Sequence, residues 1–210
     1  MIKGNTQTGQ AMAIYYGLLT EEEKKKAFDW LIKFIDDADG HFNTGVLGGR
    51  VLYRVLAENG KIDLAYNMIV RPDYPSYGNW VKRGATTLWE SFQPENGKTL
   101  SLNHHFWGDI SAWFYTYLAG IRMNPTGKDI TNVDIVPLFP KKLNSVSAYH
   151  DTPNGRVAVD WERDKDSSIV LKIDVAEKMH GRIILPNGYY IKGVQKECIL
   201  KSGVYHLYEI

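Results

Sequence analysis

The segment Gly84-Ala85-Thr86-Thr87-Leu88-Trp89-Glu90-Ser91-Phe92 is an extended, β-branched and aromatic run inside a stretch of helical periodicity. Before it, residues 73–80 form a loop-like segment in which Pro and Gly punctuate the chain between three aromatic rings. Such a loop exposes rings more readily than a helix core does. Helices joined by long loops of this kind do not make a tidy bundle, and they predict consecutive helices of a larger helical toroid.

Apolar residues on both sides of this segment recur at spacings of three and four, which predicts helices over most of the first 120 residues. Thr20 and Glu23 form a capping-box pattern that opens one of these helices, and Gly40 can end it. The predicted helices cover residues 6–18, 20–40, 49–58 and 62–70, and a last one carries Phe106, Ile110, Trp113, Phe114 and Tyr117.

The hydrophobic period changes to two from about residue 130 onward. Alternating runs at 157–161 and 169–175 enclose a turn signal at 164–166, which predicts short strands joined by tight turns. Several such strands in succession predict an antiparallel β-sandwich. The predicted fold class is therefore multi-domain α plus β, with a helical domain in residues 1–132 and the sandwich in residues 133–210.

Charge and composition exclude several classes of partner. The net formal charge of +1 leaves no cluster of uncompensated Lys and Arg with which to bind a nucleic acid. No run of about 20 apolar residues occurs, so no membrane-spanning helix is predicted. Cys198 is the single cysteine, which rules out an intrachain disulfide and a Cys-rich metal site. No signal-peptide pattern occurs at the N-terminus, and the compartment stays open.

Motifs for cofactors and metals are missing from the sequence as well. The Gly48-Gly49 pair lacks the following Lys-Ser/Thr of a phosphate-binding loop. The six histidines are scattered, and only His104 and His105 are adjacent. Adjacent residues on a helix face different directions, which makes them a poor metal pair. We therefore expect neither a cofactor nor a metal.

The strongest constellation for chemistry is Trp89-Glu90 together with Asn103-His104-His105. A carboxylate that activates water must stay ionised, so Glu90 needs polar support beside the large ring of Trp89. His104 could hydrogen-bond a sugar hydroxyl, and the 12% aromatic content suits sugar binding because pyranose C–H faces stack on rings. The alternative is structural: Glu90 caps a helix or pairs with Lys82 or Arg83, and the rings belong to the core.

Several ordered strings resemble bacterial α-L-rhamnosidases of glycoside hydrolase family 78. The resemblance is carried by Asp73-Tyr74-Pro75-Ser76-Tyr77-Gly78 followed by the Gly84–Glu90 string quoted above. It covers roughly residues 5–140, and the β region fits the C-terminal sandwich of that family in position and type. Further matching residues are Thr6-Gln7-Thr8, Gln10-Ala11, Gly40-His41, Thr44-Gly45, Leu47-Gly48, Ser101-Leu102-Asn103-His104, Gly108, Trp113 and Ala119-Gly120-Ile121.

The resemblance implies the later helices of an (α/α)6 catalytic barrel followed by the sandwich. It also implies an inverting hydrolase that releases terminal α-L-rhamnose from L-rhamnose-containing glycosides. Glu90 takes the place of the family's general base, and His104 that of the histidine that contacts rhamnose. Trp89, Trp80 and Tyr77 are the further substrate-binding candidates, because they lie in or beside the matched loops.

One part of the family pattern is missing. The general acid lies upstream in these enzymes, in an Asp- and Arg-rich motif that does not occur here. Asp73, Glu95 and Asp109 are the spare acids, and none matches that motif; Asp109 stands where the family more often has a small or apolar residue. We therefore expect the 210-residue chain alone to be inactive. The missing half-barrel should also leave an apolar flank that favours self-association.

Two other functions stay open from the sequence. One is a non-catalytic carbohydrate-binding or scaffold module that kept the later half of the barrel. The other is a different (α/α)6-barrel glycosidase, acting on glucosides or uronides. A pure binding module would have no physical need for a base carboxylate such as Glu90.

Overall fold

The computed structural model describes residues 5–93, 97–98, 101–123, 127–191 and 196–209. The chain divides at Ile110–Ser111 into a helical unit and a unit dominated by strands. The predicted separation into domains of residues 1–132 and 133–210 stays a prediction. Within the described residues, no helix has the length and apolar character needed to cross a membrane.

The described residues of the helical unit contain five helices, α1 to α5, that pack against one another in pairs. Within it, α1 packs against α2 and α3, α3 packs against α4, and α4 packs against α5. The helices are α1 (Gln7–Tyr15), α2 (Glu21–Asp36), α3 (Val46–Glu58), α4 (Ile62–Val70), α5 (Tyr77–Lys82) and α6 (Asp109–Trp113), which continues as a π-helix (Phe114–Ala119).

Caps and apolar stripes explain these helices. The predicted capping box is present: the Glu23 N–H donates to the Thr20 hydroxyl at 3.3 Å, and the Thr20 N–H donates to the Glu23 carboxylate at 2.9 Å. Leu31 and Ile35, one turn apart on α2, are fully buried. Each buried side chain of this size stabilises the fold by about 1.5–3 kcal/mol relative to an exposed one.

The structure corrects two sequence predictions in this unit. Residues 73–80 are not loop throughout, because α5 begins at Tyr77 where the Ser76 hydroxyl accepts the Asn79 N–H at 2.9 Å. The Gly84–Phe92 run lies in turns and bends and forms no regular strand. The predicted helix 62–70 is confirmed residue for residue, whereas α3 begins at Val46, earlier than predicted.

The second unit contains two sheets. One has the strand order β1-β2-β6-β8 and the other β3-β4-β5-β9-β7. All pairs are antiparallel except β2 with β6, which pair in parallel at Ile135 and Ile183. The strands are β1 (Ile121–Met123), β2 (Val133–Ile135), β3 (Ser145–Thr152), β4 (Gly155–Arg163), β5 (Ile169–Val175), β6 (Arg182–Ile184), β7 (Tyr189–Ile191), β8 (Glu197–Ile199) and β9 (Gly203–Glu209).

Side chains from both sheets share one hydrophobic core, which makes this unit a β-sandwich as predicted. Val157, Val159 and Trp161 of β4 point inward, and their alternation with polar residues is the period-two pattern of the sequence. The buried Trp161 indole N–H donates to the carbonyl of Leu118 in the π-helix at 2.8 Å. The polar atom of the largest core side chain is thereby satisfied.

Gly120 ends the π-helix at φ +78°, and a Cβ there would lie 2.2 Å from the Pro137 backbone nitrogen. Gly188 in the same unit has φ +93° but open space around it. We expect Gly188→Ala to cost about 1–2 kcal/mol, the conformational penalty alone. Gly120→Ala should lower the free energy of unfolding by at least about 2 kcal/mol more than Gly188→Ala does. The Pro137 backbone cannot move away from the new Cβ as a flexible side chain could. Amide hydrogen exchange in β4 and β5 measures both losses, and equal losses would contradict the steric role of Pro137.

Candidate active site

The two segments that carry the predicted catalytic residues run side by side. The Glu90 N–H donates to the Ser101 carbonyl at 3.0 Å, and the His104 N–H donates to the Leu88 carbonyl at 2.8 Å. The Thr87 hydroxyl adds a third link to the Leu102 carbonyl. These hydrogen bonds satisfy backbone groups that the run 84–92 does not satisfy by strand pairing. Glu90 and His104 therefore lie on two loops that are hydrogen-bonded to each other, Glu90 opposite Ser101 and His104 opposite Leu88.

Glu90 has neither of the structural roles considered as an alternative. Within the described parts of the chain, its carboxylate forms no hydrogen bond or ion pair, so it neither caps a helix nor pairs with Lys82 or Arg83. The Arg83 guanidinium instead donates to the Gln93 carbonyl at 2.7 Å and lies 5.0 Å from the centroid of the Trp89 ring. The Glu90 residue as a whole is half-buried.

The hydrogen bonds of His104 define which ring nitrogen carries the proton. The Phe106 N–H donates to His104 Nδ1 at 3.2 Å, so Nδ1 acts as an acceptor. In a neutral imidazole the other nitrogen is then the donor. His104 therefore presents an Nε2–H group, which suits a hydroxyl oxygen as its acceptor.

The three aromatic candidates belong to a cluster centred on Phe92. Trp80 stacks on Phe92 with centroids 4.0 Å apart, and Trp89 lies 5.9 Å from Trp80. Trp80 is 3% exposed and Trp89 is 8% exposed, so both residues belong mainly to the core. Tyr77 is half-buried and lies 5.2 Å from Phe92. Contact of these rings with a sugar stays a prediction.

Tyr77 is fixed by its hydroxyl as well as by its ring. The hydroxyl donates to the Trp107 carbonyl at 3.0 Å. Burial raises the pKa of Tyr77 well above its usual range, and the negative charge of Asp109 adds to this effect. Tyr77 is therefore a neutral hydrogen-bond donor over the whole physiological pH range.

The spare acids are engaged elsewhere. Arg71 donates two hydrogen bonds of 2.7 Å to the Asp73 carboxylate, which lower its pKa to about 2. A group that stays ionised to such low pH does not suit the role of a general acid. Asp109 forms a 2.7 Å hydrogen bond with Arg54 and lies 3.6 Å from Arg50. Glu95 lies outside the described residues.

Trp107, which no sequence pattern singles out, links several parts of the site. Its indole N–H donates to the Glu90 carbonyl at 3.0 Å, and the ring is 7% exposed. These partners are 17 residues apart, and no periodic pattern connects them.

No group of three or more His, Cys, Asp or Glu side chains in the described ranges could hold a metal ion.

Two protein-family models match this chain. The model described as bacterial alpha-L-rhamnosidase 6 hairpin glycosidase domain matches residues 1–118. The model described as bacterial alpha-L-rhamnosidase C-terminal domain matches residues 120–199. Together they cover the helical part and most of the strands, and they confirm the predicted combination of partial helical barrel and β-sandwich.

Individual relatives agree with the family models. An alpha-L-rhamnosidase from Formosa agariphila is 37% identical over 86% of this chain and 20% of its own length. One from Alteromonas sp. is 31% identical over 98% of this chain and 24% of its own. The crystal structure of Streptomyces avermitilis alpha-L-rhamnosidase complexed with L-rhamnose superposes with a TM-score of 0.84 at 26% identity, covering 98% of this chain and 22% of that one. The present chain thus spans about a fifth to a quarter of the length of these relatives.

Proposed function

We propose, from the premise that this chain belongs to the bacterial alpha-L-rhamnosidase family, that it supplies the general base and part of the sugar site of an inverting glycoside hydrolase. The reaction is the release of terminal α-L-rhamnose from glycosides. The observation that carries the proposal is the backbone pairing of the two loops, which holds Glu90 and His104 on the same pair of hydrogen-bonded segments. A relative of known structure is described as a complex with L-rhamnose, which supports the choice of sugar.

Glu90 acts as the base in this mechanism. Its carboxylate takes a proton from a water molecule while the water oxygen attacks the anomeric carbon. A second carboxyl group, roughly 6.5–9.5 Å away in inverting enzymes, protonates the departing glycosidic oxygen. Among the described residues the Glu90 carboxylate has no hydrogen-bond or ion-pair partner, so the polar support expected beside Trp89 is not found there.

His104 orients the sugar. Its Nε2–H group donates to a rhamnose hydroxyl, while Nδ1 remains bonded to the Phe106 N–H. Trp80, Trp89 and Tyr77 contribute an apolar wall at their exposed edges, against which a pyranose C–H face packs. Tyr77 and Trp80 also pack on Phe92, and Trp89 packs on Trp80, so these rings stiffen the loop that carries Glu90.

The general acid comes from a part of the enzyme that this chain does not contain. Asp73 and Asp109 are committed to arginines, and the relatives are about four to five times as long as the matched region. General acid catalysis contributes on the order of 10²–10⁴ in rate. We therefore infer that the 210 residues alone have negligible hydrolase activity.

The base assignment predicts the behaviour of Glu90→Gln in the full-length protein, expressed from the gene with all coding sequence upstream of residue 1. Hydrolysis of an aryl α-L-rhamnoside should fall by on the order of 10²–10⁴ in kcat, because an amide cannot accept the proton from water. Aryl glucosides and uronides serve as control substrates for the unmodified protein. Near-unchanged kcat in Glu90→Gln would refute the base role. Preferred hydrolysis of a control substrate would refute the assignment of rhamnose as the sugar that is released.

The tautomer of His104 predicts a contrast between two amide substitutions. Glutamine can place an N–H group near the position of Nε2, whereas asparagine can accept the Phe106 N–H but is too short to reach the sugar. A lost hydrogen bond of this kind costs about 1–1.5 kcal/mol, or about tenfold. We expect kcat/KM to fall about tenfold or more in His104→Asn and less than about threefold in His104→Gln. Equal losses in steady-state assays would contradict a donor role for Nε2.

Exposed apolar side chains of the helical unit predict self-association of the 210-residue chain. Leu18, Leu47 and Val81 are each at least 66% exposed, and such side chains favour burial against a second molecule. The chain should form oligomers in light scattering and show no measurable rhamnosidase activity. Lysine at all three positions should return it to a monomer, whereas Ile199→Lys, at a comparably exposed site in the sandwich, should not. A monodisperse monomer formed by the chain without these substitutions would contradict the predicted self-association.

A further inference from the structure

The main chain of Glu90 is held on both sides of its Cα. The Glu90 N–H donates to the Ser101 carbonyl at 3.0 Å, and the Glu90 carbonyl accepts the Trp107 indole N–H at 3.0 Å. Fixing both peptide groups fixes the direction in which the Cα–Cβ bond points. The carboxylate lies beyond two further carbons, so a small rotation of the peptide would displace it by a much larger distance.

Trp107 is itself held on three sides. Its ring is 4.7 Å from Phe92 and 5.9 Å from Phe42, both measured between centroids. Its backbone carbonyl accepts the Tyr77 hydroxyl at 3.0 Å. The indole N–H is therefore aimed at the Glu90 carbonyl by packing that a rotamer change would disrupt.

Gly49 provides the space for this ring. A Cβ at position 49 would lie 2.6 Å from Cζ3 of Trp107, which is closer than real Cβ contacts come. Gly49 is inside α3 and has no positive φ, so the helix does not need a glycine there for its conformation. Glycine costs a helix about 1 kcal/mol relative to alanine. The close approach of the Trp107 ring is the feature that accounts for its presence.

We propose that Trp107 is a positioning residue for the general base. It touches neither the water nor the sugar; it holds the Glu90 peptide so that the carboxylate meets the attacking water at the productive distance. This inference rests on the proposed function, because it requires Glu90 to be the base. A displacement of about 1 Å at a reacting group can cost about 10²-fold in rate, so one hydrogen bond to the Glu90 peptide can control turnover.

The test removes the indole N–H and leaves the ring. Benzothienylalanine, which has sulfur in place of the N–H, is incorporated at position 107 of the full-length protein. We expect kcat for an aryl α-L-rhamnoside to fall about 10- to 100-fold, with KM and inhibition by free L-rhamnose within about twofold. A KM change without a kcat change would place Trp107 in substrate binding and overturn the proposal.

The matched control is the same replacement at Trp161 in the sandwich. Trp161 is also buried, at 2% exposure against 7% for Trp107, and its indole N–H also donates to a backbone carbonyl, that of Leu118 at 2.8 Å. Both variants lose one indole-to-carbonyl hydrogen bond, part-buried at Trp107 and buried at Trp161, so thermal unfolding should shift at least as much in the Trp161 control. Only the replacement at 107 should lower kcat. Equal kcat in the two variants would overturn the positioning role.

Glu90→Gln in the same protein separates this inference from the proposed function. An inactive Glu90→Gln enzyme with normal kcat after replacement at 107 would leave the base assigned and refute the role of Trp107. A fully active Glu90→Gln enzyme would refute the base itself, whatever the result at position 107. A large kcat loss in both variants, with unchanged KM for the replacement at 107, is the result that supports the inference.

Discussion

The hydrogen-bonded pairing of residues 88–90 with residues 101–104 is the interaction on which the candidate site depends. Neither segment is a strand, and neither belongs to a helix. Their backbone N–H and carbonyl groups would need other partners if the loops separated, and an unpaired buried group costs about 1–3 kcal/mol. The pairing therefore satisfies the backbone of two irregular segments and brings Glu90 and His104 together at the same time.

The aromatic cluster shows how core and site compete for the same side chains. A sequence rich in tryptophan beside a carboxylate indicates sugar binding, yet Trp80 and Trp89 are buried, with Trp80 stacked on Phe92 and in contact with Trp89. This burial has a functional consequence. Large rings have few rotatable bonds, so a loop that packs its rings in the core holds its polar residues in a narrow range of positions.

Local patterns in the sequence predicted the helices and strands whose formation depends on short-range interactions. The capping box of α2, the span of α4 and the period-two strands of the sandwich follow from residues close together in the chain. The short helix α5 was missed because six residues carry too little periodicity, and only the Ser76 cap could have indicated it. The Glu90 and His104 strings were recognised, but the Trp107 contact joins residues 17 apart and has no signature along the chain.

The contacts that orient Glu90 all lie within the helical unit, between Phe42 and Trp107. Its backbone is fixed by Ser101 and Trp107, and Trp107 is fixed by Tyr77, Phe92 and the space at Gly49. None of these contacts involves a general acid. The base can therefore be preorganised by this unit alone, while inverting hydrolysis still depends on a second carboxyl group at a set distance. On the proposed assignment of Glu90, the helical unit holds the base, and protonation of the leaving group is left to a second carboxyl group.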